Sequence, residues 1–183
     1  KLTPSGYLKD FWQYTRSPLD NRDYALNTLR ARLSLNASAG PLRARVDYDH
    51  EALAGGYFRT ASFRQAGLGE PSHWLDMEQT ISSNAVSIWR HRIYRGWLGF
   101  ETEQFTLKAG RQRIAWGTGK IWNPTDTLNP VNPTSVEREE RAGVDALHLR
   151  AEISQLSQAE LALAPETRVP ASALIGRFKS NVS

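Results

Sequence analysis

Residues 28–37 alternate strictly, with Leu29, Ala31, Leu33, Leu35 and Ala37 on one face and Thr28, Arg30, Arg32, Ser34 and Asn36 on the other. A helical period would mix the two sets, so the segment predicts a strand with one apolar and one wet face. Residues 42–49 repeat the pattern, Leu42, Ala44, Val46 and Tyr48 against Arg43, Arg45, Asp47 and Asp49, after the turn signal Ser38-Ala39-Gly40-Pro41. A two-residue turn at Ala39-Gly40 predicts a register in which Arg32 faces Asp47, Arg30 faces Asp49, Leu33 faces Val46 and Leu35 faces Ala44. Cross-strand pairs of this kind contribute about 0.2–1 kcal/mol each.

A second hairpin turns at Glu103-Gln104, which sets Phe100 opposite Leu107, Leu98 opposite Ala109 and Trp97 opposite Gly110, an aromatic ring over a glycine gap. A third runs from Leu147, Leu149, Ala151 and Ile153 through a turn near 156–158 into 159–164, and further strands are expected around 6–14 and 173–179. The result is about eight strands. Their connections alternate between short (near 39, 103 and 157) and long (about 15–23, 50–85, 117–143 and 165–171). Short turns at one end and long loops at the other are the habit of bacterial outer-membrane barrels, whereas a soluble sandwich has no reason to sort its turns in this way. A soluble antiparallel sheet with one wet face shares the alternation itself.

Composition alone separates these classes poorly. The 183 residues are 40% hydrophobic and 23% charged, with no cysteine and a formal charge of +4. No run approaches the roughly 18 to 20 apolar residues of a spanning helix, which excludes an α-helical membrane protein, and the lack of cysteine excludes disulfide scaffolds and thiolate metal sites. No signal peptide opens the chain at Lys1, so it reads as cytosolic or already processed. The basic balance would suit a nucleic-acid binder, but the cations are interleaved singly with apolar residues rather than blocked together. On the wet face they are Arg30, Arg32, Arg43, Arg45, Arg95, Lys108, Arg150, Arg177 and Lys179, against Asp47, Asp49, Glu101 and Glu152. In a pore these side chains would form a wall that concentrates anions; the competing role is neutralisation of Asp47 and Asp49 within the wall.

Residues 109–133, AGRQRIAWGTGKIWNPTDTLNPVNP, are the most distinctive stretch. A strand ending in Gly110-Arg111-Gln112, followed by Trp116-Gly117, an Asn-Pro-rich loop and a return through Glu137-Arg138-Glu139-Glu140-Arg141-Ala142-Gly143, resembles the porin-like β-barrel proteins of the Gram-negative outer membrane, best over about 105–150. The resemblance implies an antiparallel up-and-down transmembrane β-barrel of about 14 to 18 strands. It also implies contact with outer-membrane lipid, small solutes as cargo, and a homo-oligomer such as a trimer. Three Asn-Pro dipeptides within 123–133 cannot join a strand ladder, because Pro lacks a donor and Asn favours turns. Loop 117–143 is therefore expected either as an external loop or as a constriction at the barrel mouth, with Trp116, Lys120, Trp122, Asn123, Asp126, Asn129 and Asn132 as its candidate residues. Thr118-Gly119-Lys120 lacks the glycine spacing of a phosphate loop.

Four histidines, His50, His73, His91 and His148, have no metal-ligand spacing, and no nucleophile elbow or carboxylate pair marks an enzyme. Catalytic residues, metal and cofactor are all expected to be absent. Aromatic residues near strand ends suggest interfacial girdles, Phe100 and Phe105 at the short-turn end and Tyr24, Tyr48 and Trp89 at the other. The chain ends at Ser180-Asn181-Val182-Ser183 without the terminal aromatic usual in this class, so residues 1–183 read as one β-barrel domain, the amino-terminal part of a larger barrel. The leading expectation is an outer-membrane channel for passive diffusion of small, anionic solutes, with no nucleic acid involved. Two rivals are a scaffold barrel sheathing a periplasmic or multihaem cytochrome partner and a soluble β-domain binding polyanions such as nucleic acid or polysaccharide.

Overall fold

The computed structural model describes residues 1–16, 21–60, 73–114, 116, 143–165 and 172–180. They form β1 (Leu2–Arg16), β2 (Asp23–Ala39), β3 (Leu42–Gly55), β4 (Glu78–Ser83), β5 (Ser87–Glu101), β6 (Phe105–Gln112), β7 (Val144–Ser154), β8 (Ser157–Ala164) and β9 (Ala173–Ser180), with one 3-10 turn at Gly56–Arg59. All pairings are antiparallel. The nine strands make one sheet in the order β1-β2-β3-β5-β6-β7-β8-β9, with β4 alongside β5. The chain is thus all-β and a meander. Among the described residues β1 and β9 are edges and do not pair, so the sheet is open.

The second hairpin has the expected register, Phe100 with Leu107, Leu98 with Ala109 and Trp97 with Gly110. Gly110 carries a φ of 117°, and a Cβ there would collide with the Gly96 carbonyl oxygen. Only glycine takes that conformation freely; the Trp97 ring lies not over Gly110 but beside Gly99, where a Cβ would stand 3.2 Å from it. The first hairpin differs from expectation. Its turn is Gly40-Pro41, so Ala39 pairs with Leu42, and Arg30 faces Glu51, Arg32 faces Asp49 and Ser34 faces Asp47. Gly40, with φ 55°, takes the first turn position, where a positive angle is needed and alanine would be strained. Pro41 suits the second. Because the shift is two residues, the faces remain as expected and only the partners change.

Nine strands replace about eight because the connection expected over 50–85 contributes structure of its own. β3 runs on to Gly55, and β4 pairs with the first half of β5. The third hairpin turns at Gln155-Leu156, slightly earlier than expected, with a register irregularity between Glu152 and Ser154.

Burial is inverted relative to a water-soluble sheet. On β2 the charged face is enclosed, with Arg30, Arg32 and Ser34 buried, while Leu33 is 66% exposed. The apolar face is exposed across the sheet, at Leu8, Leu35, Val46, Leu98, Leu149, Leu161 and Phe178, whereas Arg150, Glu152 and Lys179 on the charged face of β7 and β9 are exposed as well. Among the described residues one dry cluster, Ile114, Val144, Ala146, Ala162 and Ala164 with Trp116 against it, lies on the charged face of β7 and β8.

Candidate pore wall

Along β2, β3 and β5 the charged face is built from three carboxylates on the central strand and arginines on both sides. Glu51 receives Arg30 Nε at 2.6 Å, Arg90 Nε at 2.9 Å and an Arg92 terminal nitrogen at 3.3 Å. Asp49 takes a two-pronged contact from Arg32, 2.5 and 2.7 Å, and has Arg92 Nε at 3.8 Å. Asp47 accepts from Arg45 Nε at 3.0 Å on both oxygens and lies opposite Arg95. All three carboxylates have zero exposure. A buried carboxylate is tolerated only when paired and hydrogen-bonded, and the arginine fork suits that task geometrically. The guanidinium of Arg32 also lies 4.0 Å from the Tyr94 ring centroid and 5.4 Å from that of Tyr7, and Arg92 and Arg95 flank the same Tyr94 ring.

A β-bulge makes this arrangement possible. Asp47 pairs with Arg95 and Tyr48 with Ile93, which leaves Tyr94 as the extra residue on β5. Before the bulge the charged face carries Arg90 and Arg92; after it, Arg95 and Trp97.

The expected wall residues all fall on this one face. Arg30, Arg32, Arg45, Asp47, Asp49 and Arg95 belong to the network just described. Arg43 pairs with Glu101 at 3.4 Å, the Lys108 ammonium lies 4.7 Å from the Trp97 ring centroid, and Arg150 pairs with Glu152 at 2.5 Å. Arg177 holds Glu160 at 2.5 Å, and the exposed Lys179 pairs in register with Gln158. Neutralisation within the wall therefore engages most of these cations.

Several members of the site were not anticipated. Glu51 stands outside the expected set because it falls in the connection expected over 50–85, and Arg90 and Arg92 because the bulge at Tyr94 puts them out of phase with Arg95 and Trp97. Glu160 is a further hub: it accepts from the Trp116 indole at 2.6 Å and the Gln158 amide at 2.9 Å, with His148 Nε2 at 3.1 Å. Arg177 ties this hub to the Trp116 carbonyl at 2.6 Å. Ile114 and Trp116 thus sit on the charged face, so the chain leaves β6 towards that side. Of the candidate constriction residues, Trp116 is in this contact; Lys120, Trp122, Asn123, Asp126, Asn129 and Asn132 lie outside the described residues.

Arg111 and Asp145 pair at 3.0 Å, are buried, and are covered by the segment before β4: Leu75 donates its N–H to Asp145 at 2.8 Å, and Arg111 donates to the Leu75 carbonyl at 2.5 Å. Aromatic residues mark both ends of the apolar face. Phe100 and Phe105 stack at 5.7 Å beside the Glu103-Gln104 turn. At the far end Trp89 donates to His50 at 2.6 Å next to Tyr48. Tyr24 instead lies on the charged, even-numbered face of β2. Among the described residues no group of three His, Asp or Glu side chains converges for a metal ion.

No family model, no curated protein and no solved structure matches the chain.

Proposed function

We propose that this chain forms the wall of an outer-membrane, porin-like β-barrel through which small solutes diffuse passively, with a bias towards anions. The carrying observation is the inverted polarity of the sheet: leucines and aromatics meet the outside while, along β2 and β3, Arg30, Arg32, Asp47, Asp49 and Glu51 are enclosed. A water-soluble sheet buries its apolar face; a barrel in lipid turns that face outward and lines its lumen with the polar one.

Dimensions support the same reading. Trp89 and Phe100, at opposite ends of the apolar face of β5, are separated by about ten strand steps once the bulge residue is set aside. That is roughly 33 Å along the strand, and at a tilt of 35–45° it rises about 25 Å, the height of the apolar band of outer-membrane barrels. The short turns, at Gly40-Pro41, Glu103-Gln104 and Gln155-Leu156, all fall at one end.

That Ile114 and Trp116 lie on the enclosed face supports reading loop 117–143, whose residues 117–142 lie outside the described ones, as the constriction of the channel. Planar-bilayer recording of the full-length protein is the test. Stepwise conductance with an anion-favouring reversal potential is expected. A protein that stays folded in the aqueous fraction without detergent, or a cation-selective channel, overturns the reading in whole or in its anion bias.

A further inference from the structure

The carboxylates and the arginines of the β2-β3-β5 wall are not equally available to a passing solute. Asp47, Asp49 and Glu51 have zero exposure, whereas the side chains of Arg45, Arg90 and Arg92 keep 35%, 21% and 14%. The acids lie beneath and the guanidinium groups above. Including the partly exposed Glu78, which meets Arg90 at 3.0 Å, four carboxylates stand among six arginines: 30, 32, 45, 90, 92 and 95. The excess is two positive charges. On β5 the cations recur at 90 and 92, and again at 95 after the bulge, a spacing of roughly 7 Å along the strand. Each one is held by a carboxylate or a tyrosine ring before any solute arrives, so little side-chain freedom remains to be lost on binding.

We propose that this row is a binding track for a linear oligoanion, a chain with carboxylate or phosphate groups at successive positions. Single anions meet one guanidinium at a time; an oligoanion bridges several, and linked contacts raise its effective concentration at the next cation. The inference rests on the channel reading for its biological setting but has its own readout.

Orthophosphate, tripolyphosphate, monogalacturonate and trigalacturonate would be added to the conducting full-length protein in a planar bilayer. In parallel, their binding to the detergent-folded protein would be followed by calorimetry. Block and binding by a trimeric anion at concentrations at least about tenfold below those of its monomer are expected. Both trimers acting supports the shared chemistry, and one acting alone assigns phosphate or carboxylate as the source. Equal potency of monomer and trimer overturns the track. Arg90→Gln is the variant used, because Glu51 keeps Arg30 and Arg92 when Arg90 is lost, and weakening of the trimer by about tenfold is expected for one lost charged contact; a correctly folded variant with unchanged affinity also overturns the track. Binding without conductance would overturn the channel and keep the track, and conductance without binding the reverse.

Discussion

The two halves of the sheet solve the same problem with different residues. In β2, β3 and β5, strands of 14 to 17 residues fill the enclosed face with long charged side chains that neutralise one another. In β6 to β9, strands of 8 to 11 residues keep charged side chains towards the short turns but become small beyond them, with Ala146, Ala162 and Ala164 forming a dry seat for Ile114 and Trp116. One half packs side chain on side chain; the other makes room for a piece of chain. The outward face does not follow this division, since leucines occupy it throughout.

The contrast would break most visibly at Glu51. Glu51→Ala leaves Arg30, Arg90 and Arg92 without their shared carboxylate, and breaking a buried ion network in this way costs about 3–5 kcal/mol, to be read as a lower urea midpoint for the detergent- or lipid-folded protein. Lysine at Leu33 or Leu161 tests whether the halves share a lipid-facing side: each substitution is expected to cost about 2–4 kcal/mol near the bilayer midplane. Since both leucines are exposed, a soluble sheet would tolerate the change, and stability measured in liposomes decides. Ala162→Leu should overfill the seat at a cost of about 1–3 kcal/mol. The same substitution at Ala31, on the outward face of β2, should be nearly silent in parallel urea titrations. Smallest is Arg150→Ala, which removes a half-exposed pair with Glu152 and is expected to change stability by less than about 1 kcal/mol.

Local alternation made much of this legible. The Glu103-Gln104 turn and the Trp97 with Gly110 pair follow from residues close in sequence, where turn chemistry and period agree. At the first hairpin the faces follow from the same alternation, but the register depends on whether Gly40 takes the first or second turn position. A two-residue slip keeps leucine opposite an apolar residue, so the pattern alone leaves both choices open. Three features depend on contacts the pattern does not encode. The bulge at Tyr94 reverses which residues of β5 face inward, hiding Arg90 and Arg92. β4, Glu78–Ser83, has no apolar alternation, and its place beside β5 is secured by Glu78 with Arg90 and by His91 with Gln79. Glu160 reads as one polar residue in an alanine-rich strand, because Trp116, 44 positions away, completes its role.

The extra residue at Tyr94 has a consequence for how such a wall can change over generations. Losing that single codon would join Ile93 to Arg95 and restore strict alternation, with Arg90 and Arg92 still on the charged face; what would go is the ring that Arg32, Arg92 and Arg95 share. An inserted residue absorbed as a bulge leaves the two sides of a strand as they were, whereas the same residue held in the ladder turns one part of the strand over. The bulge is thus a way for a lineage to lengthen a strand by one residue without exchanging its faces.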